Sequence, residues 1–407
     1  MHEQFSRHAF VMGAAALAGG LSISRWSSAA SAAETMTMPF ANGARTIAAY
    51  PQKRDLIVLT SRPVQLETPF ALFDQGPFTP NDAFFVRWHL SGVPTTIDPA
   101  AFRLSVRGFI ANPLTLSLDD LKKQFSPAEI TAVCQCSGNS RGFFEPRVPG
   151  GQWGNGAMGN ATWRGARLKD ILARAGVKSG AVQVRFNGMD KPVLAQTPDF
   201  MKSLDLTVAT SDDIIVAYEM NGEPLPLLNG FPARLVVPGW YATYWVKMLD
   251  DIEVLAQSDD NFWMKTAYRV PANPCGCQQP GAKVATVPIS LLNVRSFITN
   301  VTDGSTISAS DSSVVRGIAF DRGSGIAKVR FSSDGGATWS QAKLGPDRGK
   351  YGFREWSARF NAERGKQYIL QSVATANDGA TQAATPSWNA SGYARNVIES
   401  VKVTVPS

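Results

Sequence analysis

Ile130-Thr131-Ala132-Val133-Cys134-Gln135-Cys136-Ser137-Gly138-Asn139-Ser140-Arg141 opens as an apolar, β-like run and ends in a polar turn. Cys136 stands at the strand end, Gly138 lets the backbone come close, and Arg141 follows five residues after the thiol. Thiolate prefers polarizable metals and guanidinium offers planar paired donors to an oxyanion, so this turn suits a soft metal beside an anionic substrate. A buried structural thiol is the plainer alternative. The same stretch contains Gly138-Asn139-Ser140-Arg141-Gly142, a match to the GxSxG nucleophile elbow. That fold places a histidine after the serine, and none follows Ser140, which excludes the hydrolase reading.

The four cysteines form two Cys-x-Cys pairs, Cys134/Cys136 and Cys275/Cys277. In an extended strand residues two apart lie about 7 Å apart, at or past the bridging limit, so each pair is expected to split its roles rather than close on itself. Buried thiols or a bridge between the two pairs remain open.

Outward from this stretch, Phe84-Phe85-Val86-Arg87-Trp88-His89-Leu90 alternates so that Phe85, Arg87 and His89 share one side of an expected core strand, Ala83 to Leu90. Arg87 in a salt bridge and His89 as a core histidine are the structural alternatives. Residues 33–80 read as an extended lead-in. Ser117 with Asp120 marks a helix start, and Leu168, Ile171, Leu172 and Ala175 recur at helical spacing before Gly176. Val182 to Phe186 and Ile214 to Tyr218 read as buried strands, so this part is mixed α+β. After an irregular connector near 271–281, short β-rich segments separated by Gly, Asp, Ser and Asn clusters imply a β-sandwich of immunoglobulin type. There a single Ser332-Ser333-Asp334-Gly335-Gly336-Ala337-Thr338-Trp339 motif predicts a hairpin with Trp339 packed inward; a propeller would repeat it.

The chain has 407 residues, 44% apolar and 18% charged, a globular composition with room for two or three domains. Residues 1–32 read as an export signal of twin-arginine type: Ser6-Arg7-His8 leads into a short apolar run and Ala30-Ser31-Ala32 offers a cleavage site. The location expected is the periplasm, with no membrane span. The net charge of +7 gathers after residue 288 without a basic run, so no nucleic-acid partner is expected. Of three histidines, His2 and His8 lie in the leader, and His89 alone cannot build the multi-histidine zinc sites or the facial triad.

Four ordered segments carry a resemblance: Phe84-Phe85-Val86-Arg87-x-His89, Cys136-x-Gly138-Asn139-x-Arg141, Ala217-Tyr218-Glu219-Met220-Asn221-Gly222-x-Pro224-Leu225-Pro226 and Gly230-Phe231-Pro232-x-Arg234-Leu235-Val236-Val237-Pro238-Gly239. Together they resemble the signature segments of the sulfite oxidase family of molybdenum enzymes, over about residues 80–405, and most of all the molybdenum subunits of bacterial periplasmic sulfite dehydrogenases. The resemblance implies an α+β molybdopterin-binding catalytic domain at 33–280 and an immunoglobulin-like dimerisation-type domain at 281–407.

By the same resemblance Cys136 is the molybdenum ligand, Arg87 and Arg141 bind the anionic substrate, and Trp153 and Tyr268 are pocket aromatics. Trp88, His89, Asp190, Asn229, Arg234, Trp245, Val246 and Lys247 fall where the family holds its pterin, Asn229 standing where histidine is frequent. The implied activity is oxidation of sulfite to sulfate at a molybdenum–molybdopterin centre. No Cys-x-x-Cys-His occurs, so no haem is expected on this chain and electrons pass to a c-type cytochrome, as separate partner or permanent subunit. The rival readings are a molybdenum reductase acting on a sulfoxide or nitrate, and an exported non-catalytic binding protein.

Overall fold

The computed structural model describes residues 35–37 and 44–407, and these cluster as one compact unit. The proposed export signal lies outside the described residues. Three larger sheets build the first part, and a two-stranded pair, Arg269–Pro271 with Thr286–Pro288, flanks the connector. Thr35–Thr37, Ala44–Tyr50, Lys53–Ser61, Val64–Glu67 and Val86–Arg87 form an antiparallel meander in chain order. What reads in sequence as a lead-in is therefore four paired strands. A second sheet runs Met201–Asp205, Gln183–Gly188, Leu249–Leu255, Leu104–Gly108, Leu114–Leu116, with one parallel pair, Leu249–Leu255 beside Leu104–Gly108. The third carries the cysteines: Glu223–Pro224, Ile215–Met220, Met158–Arg167 and Pro127–Gln135 lie side by side, and Arg234–Val236 also pairs with Ile215–Met220.

The short helices follow their sequence signals. Ser117 closes a capping box with Asp120 over Leu118–Lys123. Leu168–Ala175 buries Leu168, Ile171, Leu172 and Ala175, the four apolar positions of its repeat, and stops at Gly176 in the left-handed conformation. No helix among the described residues is long and apolar enough to cross a membrane.

The second part is a sandwich of two antiparallel-rich sheets. One runs Arg295–Ile298, Ser310–Phe320, Arg354–Ala362, Lys343–Leu344; the other Ser305–Thr306, Ser400–Thr404, Gln367–Ala376, Ile326–Ser332, Ser340–Gln341. Inward residues such as Val315, Val329, Trp356 and Leu370 form its own apolar core. Phe297, Ile318, Phe320 and Phe353 instead join the core of the first part, where Phe70 and Phe73 meet Phe297 and Phe353 edge-on. The α+β part and the sandwich are thus packed through a shared aromatic seam.

Three sequence expectations are corrected. Ala83 to Leu90 is not a full strand; only Val86–Arg87 pairs. The carbonyls of Ala83, Phe84 and Phe85 accept instead from Thr68 Oγ1, Lys53 Nζ and Asn229 Nδ2, so side chains take the place of a neighbouring strand. Trp339 does not pack inward: it is half-buried across its own hairpin, with Nε1 donating to Gly336 O. Cys275 and Cys277 do close on each other. Gly276, at φ 56°, folds the chain back and brings their Cα atoms to 5.1 Å, inside the bridging range that an extended strand would exceed.

Candidate active site

Cys134 and Cys136 sit two residues apart at the end of Pro127–Gln135, so both thiols face the same way, into one cavity. Both are buried and free. Where the strand ends, the following turn is pinned on both sides: Cys136 N donates to Ala157 O (2.9 Å), and Asn139 Oδ1 accepts from Ala157 N (2.9 Å). The strap 151–157 that does the pinning is held from beneath by the buried carboxyl of Glu67, which accepts from Gly154 N and Gly156 N at 3.0 and 2.8 Å. Burial nevertheless pushes Glu67 up to about 7. A Cβ at Gly138 would meet the Arg141 guanidinium at 2.6 Å, so any larger residue there would displace Arg141.

Phe85, Arg87 and His89 line the cavity together, as the alternation of that segment predicts. His89 stacks on Phe200, ring centroids 3.5 Å apart, and its Nε2 lies 2.6 Å from Tyr268 Oη. Burial, aided by Arg87, Lys247 and Lys202, holds His89 well below the usual imidazole range, whereas burial raises the Tyr268 phenol. At neutral pH the pair is therefore a neutral imidazole and an intact phenol.

The opposite wall is cationic. Arg234 donates through Nη1 to Asn229 O (2.8 Å) and through Nη2 toward Cys134 Sγ (3.8 Å). Lys247 Nζ lies 4.4 Å over the Trp88 ring, and burial, with Arg234 and Arg87 nearby, pushes it down to about 7. Cys134, its thiol pushed up to about 11 by burial, stays protonated against Arg234. Asn229 Oδ1 accepts from the buried ammonium of Lys53, which also donates to Asn81 O and Phe84 O. Trp88, Asp190, Trp245 and Val246 stand behind this wall: Trp88 Nε1 donates to Leu228 O, Asp190 is a buried countercharge to Lys247, Trp245 O accepts from Arg234 Nη2, and Val246 O accepts from Leu235 N.

Arg141 and Trp153 stand next to the cavity rather than in its lining. Arg141 donates to Gly392 O (3.2 Å) and Gly151 O (3.3 Å) and lies 4.9 Å over the Tyr393 ring. Trp153 packs edge-on against Phe85. Four groups escape a reading of motifs: Glu67, Lys53, Lys202 and Tyr393. Lys202, fully buried, donates to Trp263 O and lies 4.5 Å over Tyr244 and 5.6 Å over Tyr268. No local pattern marks them; each reaches the site through the fold.

Sequence comparison agrees with this geometry. The family described as the oxidoreductase molybdopterin binding domain matches residues 89–263, and the Mo-co oxidoreductase dimerisation domain matches 286–405. Sulfite oxidase of Gallus gallus is 31% identical over 360 residues, covering 84% of this chain and 76% of that protein. The chain belongs to the sulfite oxidase family. Mitochondrial sulfite oxidase of Rattus norvegicus is 32% identical over 369 residues, 86% of this chain and 66% of the rat protein, so the chain spans about two thirds of that relative's length. The solved sulfane dehydrogenase SoxCD from Paracoccus pantotrophus shares the fold, with a TM-score of 0.74 at 23% identity over 91% of this chain and 88% of that one.

The family's molybdenum–pterin cofactor fits the residues present. Arg87 Nη1, Arg234 Nε, Ser137 Oγ and Thr243 Oγ1 all line the cavity, buried, with no hydrogen-bond partner among the described residues. Unpaired buried donors beside cations are costly unless an anionic, acceptor-rich group meets them. A pterin bearing phosphate is such a group, with Arg234 and Lys247 suited to the phosphate.

Proposed function

We propose that this chain oxidises sulfite to sulfate and passes the electrons singly to a c-type cytochrome in the periplasm. One observation carries the reading: Cys136, Arg87, His89 and Tyr268 line a single cavity together with the cations Arg234 and Lys247. In this reading residues 33–280 form the catalytic domain, residues 281–407 the dimerisation-type domain, and the leader at 1–32 supports export.

When bound, molybdenum supplies oxygen-atom transfer and two-electron redox chemistry. The chain's own residues supply the rest. Cys136 would give the protein's sulfur ligand. Arg87, half-buried with its Nη1 out of solvent, presents a cation to the sulfite dianion, and Arg141 adds positive charge from the adjoining turn. Tyr268 can give its single hydroxyl hydrogen to an anion oxygen when neutral His89 holds its own hydrogen on Nε2 and donates to Tyr268 Oη, without placing another full charge in the pocket. Phe85 and Phe84 exclude water around them.

The test is expression in a host that makes the cofactor, followed by metal analysis and sulfite-dependent reduction of cytochrome c. About one molybdenum per chain with sulfite-dependent reduction is expected. Molybdenum-loaded protein that ignores sulfite but consumes nitrate or methionine sulfoxide would replace this reading with the reductase one.

A further inference from the structure

The sandwich reaches into the site through residues 389–395, between Gln367–Ala376 and Ser400–Thr404. Asn389 cradles the segment: its Oδ1 accepts from Tyr393 N (3.1 Å), and its Nδ2 donates to Tyr393 O (2.9 Å) and to Gly276 O (3.3 Å). Ala394 N then donates to Ser137 O (2.9 Å), one residue past Cys136. Gly392 O accepts from Arg141 Nε. The Tyr393 ring lies flat on Tyr268, centroids 5.2 Å apart and planes 8° from parallel, with the Arg141 guanidinium 4.9 Å over it.

Three residues along this contact, Ser140, Tyr268 and Ala394, are non-glycine yet adopt positive φ of 68°, 56° and 55°. L side chains resist that conformation, so the surrounding contacts must hold it. Tyr268 is thus held at its backbone in an unfavourable region, and at its ring between His89 on one side and Tyr393 on the other.

We infer that Tyr393 is a positioning residue for anion binding: its ring fixes the Tyr268 phenol and the Arg141 guanidinium relative to each other, so that the sandwich completes a site whose other parts belong to the α+β part. The inference rests on the sulfite reading for its substrate. Ring stacking and cation–π contact need an aromatic face, and the Tyr393 hydroxyl also meets the Arg141 side chain, so phenylalanine should keep most of the positioning and an aliphatic side chain should lose it.

The test compares Tyr393→Phe, Tyr393→Leu and Asn389→Ala in molybdenum-loaded protein. Steady-state kinetics with sulfite are paired with calorimetric titration of sulfate, which reads anion binding without turnover. Stacking and cation–π energies together correspond to a rise in sulfite KM and sulfate Kd of about 5- to 30-fold for Tyr393→Leu, with kcat changed less than about 3-fold. Tyr393→Phe, which keeps the ring but loses the hydroxyl contact with Arg141, should leave both constants well below those of the leucine variant. Asn389→Ala, which frees the segment but keeps the ring, should raise both constants in the same direction and serves if Tyr393→Leu does not fold. Wild-type KM and Kd in the leucine variant, or equal losses in the leucine and phenylalanine variants, overturn the inference. Wild-type protein that binds sulfate but never oxidises sulfite overturns the functional reading alone, since the sulfate titrations still decide the role of Tyr393.

Discussion

His89 Nε2 and Tyr268 Oη are 2.6 Å apart, joining a segment at residue 89 to one at residue 268 across the cavity wall. Burial disfavours imidazolium while the phenol keeps its proton, so two neutral groups share this hydrogen bond, and with the imidazole hydrogen on Nε2 His89 donates to Tyr268 Oη and leaves the phenol hydrogen for an anion. Losing the phenol removes a donor to the anion and frees the imidazole. Tyr268→Phe should lower kcat/KM for sulfite by about 10- to 100-fold, the range for a hydrogen bond to a charged group. Steady-state rates at fixed ionic strength check this.

The same burial makes His89 a source of acid sensitivity. Its folded pKa lies below the unfolded value of about 6.5, so the unfolded chain takes a proton first as pH falls. The stability that His89 contributes is complete above about pH 6.5 and is lost progressively below it. His89→Gln should therefore flatten the dependence of unfolding free energy on pH between 5 and 6.5. Urea titrations across that window measure it, and parallel curves for the two proteins would reject the assignment.

Arg87 and Cys136 line the same cavity but are expected to fail differently when replaced. Arg87→Met removes a half-buried cation from the cavity lining and should raise sulfite KM by about 10- to 100-fold. Cys136→Ser removes the soft ligand and should abolish turnover. Metal analysis beside the kinetics separates the two effects: a Cys136→Ser protein with normal molybdenum and full sulfite turnover would refute the ligand assignment.

Much of this site is legible in the sequence because short, contiguous patterns encode it. Phe85, Arg87 and His89 do reach one cavity although the expected strand does not form, but Phe84 lines it too, because the chain bends at residues 84 and 89 and strict alternation is lost. Cys136 at a strand end and Arg141 in the next turn are equally local. Lys53, Lys202 and Tyr393 are invisible for the opposite reason. Lys53 lies 176 residues before the Asn229 it meets, and Tyr393 comes from the sandwich, so only chain folding juxtaposes them. The Cys275–Cys277 bridge departs from extended-strand spacing because Gly276 allows a turn between the two cysteines.

That bridge closes only a very short loop, so it restricts the unfolded chain little. Loop-closure entropy for about three residues corresponds to roughly 1.6 kcal/mol. Reduction, or Cys275→Ser with Cys277→Ser, should therefore shift unfolding free energy by at most about 2 kcal/mol. Urea midpoints with and without reductant test it.

Lys53, Lys202 and Lys247 are all buried, and burial brings each down from about 10.5 to about 7. In protein prepared without cofactor, the unfolded chain holds more protons than the folded one between about pH 7 and pH 10.5, so stability should rise with pH across that window and level off below it. Lys247, beside Arg234 on the cationic wall, should behave differently once an anion is bound, because a nearby negative charge favours the ammonium and raises its pKa. Cofactor-loaded protein should consequently show a shallower rise from pH 7 to 9, and Lys247→Met should reduce the rise in the cofactor-free form while lowering molybdenum retention. Chemical denaturation at pH 7, 8 and 9, with metal content measured on the same preparations, decides it: equal slopes in both forms would mean that the phosphate end of the pterin does not lie at Lys247.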